Sequence, residues 1–377
     1  MATIYKRGKT YTYAIDIGKD GKGIRRKKTK GGFRTKKEAV QAAATIENSL
    51  ASGTFINEKK IQLYDFIDQW FDGYAMQIKA STKVNTTTAI HVIKQYFAST
   101  TMLKDINREI YQSFLNDLCK SHKRSSVCTY NSTYKLIFKS AMKLELIKSN
   151  PLEYTEIPKK TASFDDDQPI NYLEKDELLS FLETVSRSHR NDLYTMFFML
   201  SYTGVRVGEL VALNWDDIDL DNKSISISKD VFFSHAINYV VQPPKTKSSK
   251  RKIPVTDSLL KVLATYKKER QEESLREGIK FENSSFIFGK GERPFHPTIV
   301  NNYVKKYIKM AGIDKHITTH GLRHTHVSLL AEAGVSLEAI QERLGHKSDT
   351  TTRNIYLHIT KKAKKEAAQK FDKLMNG

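Results

Sequence analysis

The first 55 residues carry apolar and polar positions in short alternating runs, which predict a small β-sheet followed by a helix. Residues 10–17 have the aromatic and β-branched side chains that strands prefer, and residues 4–7 and 24–29 predict two partner strands. Thr35, followed three residues later by Glu38, is the pattern of a capping box. We expect a helix from this box to about residue 52.

Residues 60–155 have apolar positions at helical spacing, so they predict an all-helical domain. The first apolar stripe runs from Leu63 to Tyr74. Three more helices are predicted at residues 81–97, 107–121 and 125–146, each opened by a Ser or Asn cap. We expect the aromatic side chains of these helices to form a core, with base stacking as the alternative.

A polar linker at residues 155–168 leads into a mixed region that continues to the C-terminus. An apolar run at residues 193–202 predicts a buried helix. A second helix is predicted from Ser336, a good N-cap, to Leu344, with Gly345 as its end.

Strand patterns in the same region predict a small antiparallel sheet from residues 224–228, 237–242 and 251–255. The fold class is therefore multidomain α+β. Its three predicted parts are a three-stranded sheet plus helix at residues 1–55, a four-helix domain at residues 60–155, and a mostly helical domain with a small antiparallel sheet at residues 168–377.

The composition indicates a polyanionic partner. The 377 residues carry a formal net charge of +20. The two cysteines, Cys119 and Cys128, provide no disulfide framework, which fits a reducing cytoplasm. The N-terminus lacks the apolar core of a signal peptide, and no apolar run approaches a membrane span. We expect a cytoplasmic protein without a membrane segment.

The candidate chemistry lies near the C-terminus, where His320, Arg323, His346 and Tyr356 fall within 37 residues. A helix would project His320 and Arg323 from one face. Arginine presents paired donors to phosphate oxygens, histidine can donate a hydrogen bond or move a proton, and a tyrosine phenol can be a nucleophile. This set fits a phosphodiester substrate, although a single Tyr or His is often only a structural residue.

Three histidines, His320, His324 and His326, also allow a zinc site, because a His pair at i and i+4 can chelate a metal. The glutamate that follows the first His in metalloprotease helices is absent, and no Cys lies nearby. We therefore expect neither a metal nor another cofactor.

An upstream segment, Thr203-Gly-Val-Arg-Val-Gly-Glu-Leu210, places Arg206 just after the apolar run. It is followed in order by His320-Gly-Leu-Arg-His-Thr325 and by Leu344-Gly-His346, with a Tyr ten residues later. Together these segments resemble the three motif boxes of the tyrosine recombinase (phage integrase) family. Each box is weak alone, but their order and spacing across residues 170–360 are specific.

The resemblance implies a site-specific DNA recombinase, the integrase of a prophage or related mobile element. Tyr356 would attack the scissile phosphate and form a 3′-phosphotyrosyl link. Arg206 and Arg323 would hold the non-bridging oxygens, while His320 and His346 would add hydrogen bonds and manage protons. Glu209 would orient Arg206, although a plain surface acid fits that position too.

A general acid is expected in the basic turn that begins at Pro243-Pro-Lys-Thr-Lys247. Lys245 aligns best with the Lys-Thr of the family and is the first assignment, with Lys247 as the alternative. Strand alternation makes Ile253 an inward position, so Lys252 should point to the opposite, outward face of the strand.

The predicted sheet and helix of residues 1–55 are strongly basic, with thirteen Lys or Arg against two acids between Lys6 and Lys37. This segment resembles the arm-binding domain of phage integrases, and the helical domain resembles their core-binding domain. The resemblance implies arm and core attachment sites in double-stranded DNA, a tetramer on DNA, a DNA-bending host factor and an excision factor. The residues expected to contact DNA are Tyr13, Arg25, Lys27, Lys28, Lys83, Lys123, Arg124, Lys247 and Lys250.

Two other functions remain open on these residues. A type IB topoisomerase uses a similar constellation and would relax DNA as a monomer, but the two-domain front end and the His-x-x-Arg spacing favour a recombinase. A non-catalytic DNA-binding architectural protein is the other alternative, and the complete set of candidate catalytic residues weighs against it.

Overall fold

A computed structural model of the chain describes residues 2–19, 23–51, 61–158, 171–233, 239–244, 249–290, 293–345 and 350–360, together with residue 375. The chain divides into two compact units, residues 1–162 and residues 163–377. In the part of the chain that is described, no helix combines the length and the apolar character needed to cross a membrane.

The N-terminal sheet is antiparallel, in the order β1-β2-β3, and one helix packs on it. Its elements are β1 (Thr3–Arg7), β2 (Thr10–Lys19), β3 (Arg25–Phe33) and α1 (Lys36–Ala51). The predicted sheet and helix are confirmed, and β3 runs four residues beyond its predicted end at residue 29. The backbone N–H of Glu38 donates to Thr35 Oγ1 at 3.2 Å, which is half of the predicted capping box. The Glu38 carboxylate accepts instead from the backbone N–H of Arg34.

Tyr13 is a core residue, and its prediction as a DNA contact is wrong. The side chain is 2% exposed, and its ring centroid lies 5.7 Å from that of Phe33. Strand alternation puts Tyr13 and Ile15 on the face that α1 covers, so neither can reach DNA.

The basic residues of β3 divide between the two faces of the sheet. Lys27 pairs with the exposed Asp16, and Lys28 pairs with the buried Ile15. Directly opposed residues share a face, so Lys27 lies on the open face and Lys28 is only half-buried at the edge of the core. Arg25 is exposed.

Four helices form the rest of the first unit, as the apolar spacing predicts. They are α2 (Leu63–Ala75), α3 (Ala80–Tyr96), α4 (Arg108–Ser121) and α5 (Arg124–Lys143). Tyr111, Phe114 and Tyr134 are fully buried between them. The Tyr111 hydroxyl donates to Asn131 at 2.6 Å, and the Tyr134 hydroxyl donates to the Ala89 carbonyl at 2.9 Å. These rings are core residues, so base stacking does not apply to them.

The caps of these helices differ in part from the predicted ones. Asn107 does cap α4, because its side chain accepts a backbone N–H at 2.9 Å. Helices α3 and α5 begin after Lys79 and Lys123 rather than at Ser81 and Ser125, and neither start has a side-chain cap bond. The predicted DNA contacts of this domain are all exposed: Lys83, Lys123 and Arg124.

The second unit is mostly helical, with α7 at its centre. Its helices are α6 (Lys175–Ser186), α7 (Asn191–Thr203), α8 (Val207–Val211), α9 (Asp257–Arg276), α10 (Pro297–Met310), α11 (Thr319–Glu332) and α12 (Leu337–Leu344), and residues 350–360 are also helical. Every residue of α7 from 195 to 201 is buried, as expected for a helix surrounded by α6, α9 and α11. The predicted bounds of α12 are confirmed: Ser336 caps it, and Gly345 ends it at φ +71°.

The strands of this unit form small antiparallel ladders. They are β4 (Ile218–Asp219), β5 (Ser224–Ile227), β6 (Asp230–Phe233), β7 (Tyr239–Gln242), β8 (Arg251–Pro254), β9 (Gly289–Lys290) and β10 (Arg293–Pro294). The ladders are β4-β5-β8, β6-β7 and β9-β10. The predicted single sheet is therefore wrong in one respect. Strand β7 pairs with β6, which was not predicted, and not with β8. Within β8, Ile253 is buried and Lys252 exposed, as predicted.

Candidate active site

Four of the six predicted catalytic residues lie in the described part of the second unit. Arg206 stands at the start of α8, His320 and Arg323 lie on α11, and Tyr356 lies in the helical segment 350–360. His320 is exposed while Arg323 is only 2% exposed, so these two residues differ in environment despite their spacing.

The other two predicted catalytic residues, Lys245 and His346, lie outside the described residues, as does the alternative general acid Lys247. Lys250, predicted to contact DNA from the same basic turn, is described and exposed. The choice between Lys245 and Lys247 therefore stays a prediction.

Arg206 follows a turn that favours glycine at position 204. Gly204 ends α7 at φ +64°, a left-handed conformation that disfavours other residues. A Cβ at this position would also lie 2.7 Å from carbon atoms of both His326 and Leu344. The chain re-enters a helix at Val207, which leaves the Arg206 side chain 38% exposed.

The guanidinium of Arg323 bridges this turn and the end of α12. Its Nη1 donates to the Gly204 carbonyl, and its Nη2 donates to the Leu344 carbonyl at 3.0 Å. Gly204 is two residues before Arg206, and Leu344 is two residues before His346. One buried arginine therefore joins the backbone next to two other predicted catalytic residues.

Glu209 holds Arg206 in place. Arg206 Nη1 lies 2.9 Å from Glu209 Oε1, and the Arg206 backbone N–H donates to Oε2 at 3.0 Å. On its other side, Glu209 accepts from Arg251 Nη2 at 2.9 Å and from Arg251 Nη1 at 3.3 Å. This geometry is what orientation of Arg206 by Glu209 requires.

The charge of Glu209 is fixed by these arginines. Burial alone would raise its pKa, but the hydrogen bonds and charges of Arg251 and Arg206 outweigh burial and lower the pKa. Glu209 is therefore ionised at neutral pH. Arg251 was missed from the sequence, although strand alternation places it on the same inward side as Ile253.

The three histidines of α11 do not converge on one point. The rings of His320 and His324 contact each other edge to face, with centroids 4.6 Å apart. His326 instead is buried and bonds to the Ser201 carbonyl and to Arg343. Across the described ranges, no group of three His, Cys, Asp or Glu side chains is placed to hold a metal ion.

Tyr356 is attached to the same region by apolar packing. The segment 350–360 contributes Ile355 and Ile359 to a small core that also contains residues of α11 and α12, and Tyr356 packs against that core, half-buried. The core residues from the two helices are Val327, Ala331, Ile340 and Leu344. Leu344 thus both packs near Tyr356 and accepts a hydrogen bond from Arg323.

Comparisons with known proteins cover each part of the chain. A model of the phage integrase family matches residues 171–363, a model of the arm DNA-binding domain matches residues 3–50, and a model of the phage integrase SAM-like domain matches residues 62–161. The chain is 28% identical over 352 residues to an integrase of Staphylococcus phage L54a, covering 88% of this chain and 98% of that protein. It is also 28% identical over 370 residues to the ICEBs1 integrase of Bacillus subtilis (strain 168), covering 97% of each.

Solved structures agree in fold. The Tn1549 transposon integrase in complex with transposon right end DNA has a TM-score of 0.66 at 20% identity, over 82% of this chain and 100% of that one. A lambda integrase dimer bound to a COC′ core site has a TM-score of 0.59 at 21% identity, over 94% of each chain. The phage integrase family model alone matches more than half of the residues of this chain, so the chain belongs to the phage integrase family.

Proposed function

We propose that the chain is a site-specific DNA recombinase that integrates or excises a mobile element through a 3′-phosphotyrosyl intermediate. Residues 1–55 would bind arm sites, residues 60–155 would bind the core site, and residues 168–377 would carry out the chemistry. The family-model matches to residues 3–50, 62–161 and 171–363 support this division. We place the reaction in the bacterial cytoplasm, because the two cysteines of the chain provide no disulfide framework.

The cleavage step uses Tyr356 as the nucleophile. Tyr356 gives up its phenolic proton to His320 or His346, and its oxygen bonds to the scissile phosphorus as the bond from phosphorus to the 5′-oxygen breaks. Lys245 supplies the proton that the leaving 5′-oxygen takes up. The 5′-hydroxyl of a partner strand then attacks the phosphotyrosine and releases Tyr356. The number of phosphoester bonds is unchanged, so no nucleotide cofactor is needed.

Arg206 and Arg323 would stabilise the negative charge of the pentacoordinate phosphorane, with His320 and His346 adding hydrogen bonds. Preorganised donors of this kind contribute roughly 10²- to 10³-fold each. The single observation that carries the proposal is the bridge made by Arg323. It joins the carbonyl of Gly204, beside Arg206, to that of Leu344, which packs in the core that holds Tyr356.

The proposed partners are double-stranded attachment-site DNA and other copies of the chain. A tetramer is supported by the lambda integrase, whose structure includes a tetramer bound to a Holliday junction. Exposed basic residues in all three parts are available for phosphate contacts. A DNA-bending host factor and an excision factor complete the proposed assembly.

The test is covalent trapping on a nicked suicide substrate, in which the cleaved fragment diffuses away. Wild-type protein should accumulate a protein–DNA adduct. Tyr356→Phe should bind the same DNA with unchanged affinity and form no adduct. Tyr303→Phe, which removes the hydroxyl of another half-buried tyrosine of the same unit, is the control and should form adduct normally. An adduct of normal yield in Tyr356→Phe would overturn the assignment.

Cleavage is also expected in excess chelator, because arginine side chains supply the charge stabilisation that a metal ion would otherwise supply. The measurement is adduct yield with and without EDTA on DNA that is already bound. Loss of cleavage in EDTA, restored by one divalent metal, would contradict this prediction.

A further inference from the structure

The C-terminus of α7 is capped by side chains from two other helices. The last four carbonyls of any helix lack partners within it. In α7, the Ser201 carbonyl accepts from His326 Nδ1 at 2.9 Å, and the Tyr202 carbonyl accepts from Arg343 Nη2 at 3.1 Å. The turn that follows these carbonyls carries Arg206.

The C-terminus of α12 is capped in the same way. The Arg343 carbonyl accepts from Arg251 Nε at 2.9 Å, and the Leu344 carbonyl accepts from Arg323 Nη2 at 3.0 Å. The backbone N–H of Gly345 donates to the carbonyls of Gln341 and Glu342, which precede these two. Two helices thus direct their negative ends toward arginine side chains, an arrangement that the helix dipoles favour.

His326 and Arg343 join the two caps directly. Arg343 Nε donates to His326 Nε2 at 3.1 Å. An arginine can only donate, so Nε2 must be the acceptor, and the proton of a neutral imidazole resides on Nδ1, facing Ser201. Burial, followed by the charge of Arg343, lowers the pKa of His326 to about 3, which keeps the ring neutral. Both ring nitrogens are used within the fold.

Arg343 also ties a third element to this junction. Its Nη1 donates to the carbonyl of Pro254, the last residue of β8, whose first residue is Arg251. One guanidinium therefore fixes the end of α7, the end of β8 and the imidazole of α11. The side chains of His326 and Leu344 also approach the Gly204 turn closely, since a Cβ added at Gly204 would lie 2.7 Å from a carbon atom of each.

We propose that His326 and Arg343 are positioning residues for the cleavage step. They clamp the ends of α7 and α12 together and so set where Arg206 and Arg323 stand relative to the scissile phosphate. The inference rests on the proposed function, since it assigns phosphate binding to those two arginines. His326 acts through its neighbours, because it is 6% exposed and both its nitrogens are bonded internally.

Single-turnover cleavage of the nicked substrate by the full-length chain separates positioning from folding. A displacement of the arginines slows every active molecule, so the first-order rate constant falls. A purely structural defect reduces the fraction of active molecules, so the final amplitude falls while the rate constant stays. His326→Leu and Arg343→Met should lower the rate constant about 10- to 100-fold at saturating DNA. Amplitude and the Kd for DNA should remain those of wild type.

Three further variants complete the experiment. The double variant His326→Leu/Arg343→Met should be no slower than the slower single, because the pair acts as one unit. His326→Gln, which keeps one donor and one acceptor, should recover part of the rate. Arg276→Met removes an exposed arginine at the end of α9 and is the control, expected to match wild type. If thermal melting reveals that Arg343→Met is unfolded, Arg343→Lys takes its place with the same expectation, because an ammonium cannot reproduce the three-way bridge.

The proposal is overturned if the variants keep the wild-type rate constant, or if the effects of His326→Leu and Arg343→Met multiply in the double variant. The proposed function fails separately, and takes this inference with it, if wild-type protein forms no adduct through Tyr356. A wild-type adduct with unaffected variants overturns the positioning role alone.

Discussion

The carboxylate of Glu209 and the guanidinium of Arg251 form a buried ion pair, with Arg251 Nη2 2.9 Å from Glu209 Oε2 and the two side chains 2% and 7% exposed. The other oxygen of the carboxylate lies 2.9 Å from Arg206 Nη1, whose side chain is 38% exposed. Arg251 thus neutralises Glu209 inside the fold, and Arg206 retains an exposed portion that can meet a ligand.

Breaking this pair is expected to be costly. Arg251→Met should destabilise the second unit by about 3–5 kcal/mol, because it leaves a buried carboxylate without its main partner. Denaturant unfolding can be followed through Trp215 in a Trp70→Phe background, since the chain has only these two tryptophans. The control, Arg187→Met, breaks an exposed pair with Glu183 and should cost about 0–1 kcal/mol.

The double variant Glu209→Met/Arg251→Met should be more stable than Arg251→Met alone, because the uncompensated charge is then removed. Equal unfolding midpoints for Arg251→Met and Arg187→Met would show that the buried pair has no such role.

Buried His326 predicts a stability that decreases in acid. Its pKa in the folded chain is lowered to about 3, whereas an unfolded His titrates near 6.5. Between these values only the unfolded chain binds the proton, so stability falls as pH decreases, by about 2 kcal/mol at pH 5. Arg343 and Arg323, the charged groups that influence this ring, stay protonated throughout.

His326→Gln should lack this contribution, so the difference in unfolding free energy between wild type and variant should shrink by about 2 kcal/mol from pH 7 to pH 5. The exposed His316→Gln is the control and should follow wild type at each pH. Parallel curves for wild type and His326→Gln would indicate that the ring titrates normally.

The general acid can be identified with a 5′-bridging phosphorothiolate, because a sulfur leaving group departs without protonation. Lys245→Ala should cleave the normal substrate roughly 10²- to 10⁴-fold more slowly and cleave the phosphorothiolate at nearly the wild-type rate. Lys250→Ala is the control from the same turn and should chiefly weaken DNA binding. Rescue of Lys247→Ala instead would move the assignment by two residues.

The sheet of residues 1–55 is expected to bind DNA through its open face, the face that α1 does not cover. Removing residues 1–55 should leave adduct formation at core sites intact and abolish integration that needs arm sites. Lys27→Gln should reduce the log–log salt slope of arm-site binding by about 0.9, the value for one lost phosphate contact. Lys27→Arg keeps the charge and should keep the slope. An unchanged slope in Lys27→Gln would remove this residue from the interface.

Local patterns were enough to predict most elements, because their causes are local. Apolar spacing predicted the four helices of residues 61–158, and Ser336 and Gly345 predicted both ends of α12. The same patterns failed where partners are chosen over a distance. Strand β7 was expected beside β8, but it pairs with β6, a strand that was not predicted. The alternation of side chains along a strand does not specify which strand it pairs with.

Candidate residues were predicted from side-chain chemistry in ordered motifs, and their catalytic roles stay predictions. Arg206, His320 and Tyr356 lie on elements of one unit and keep exposed or half-buried side chains. Tyr13 shows the limit of this reasoning, because an aromatic residue in a basic strand fits a DNA contact and a core equally well. Only the packing of α1 against that strand decided for the core.

The sequence by itself determined most of the elements, the order of the motifs and the basic character of the chain. Tertiary structure alone decided that Arg251 neutralises Glu209, that Arg323 spans two helix ends, and that His326 pairs with Arg343. Arg251, Arg323 and His326 also bond to backbone carbonyls 92, 119 and 125 positions away, those of Arg343, Gly204 and Ser201 respectively. Every residue has a backbone carbonyl, so the residue type at the acceptor position does not indicate such a bond. Only the folded backbone reveals it.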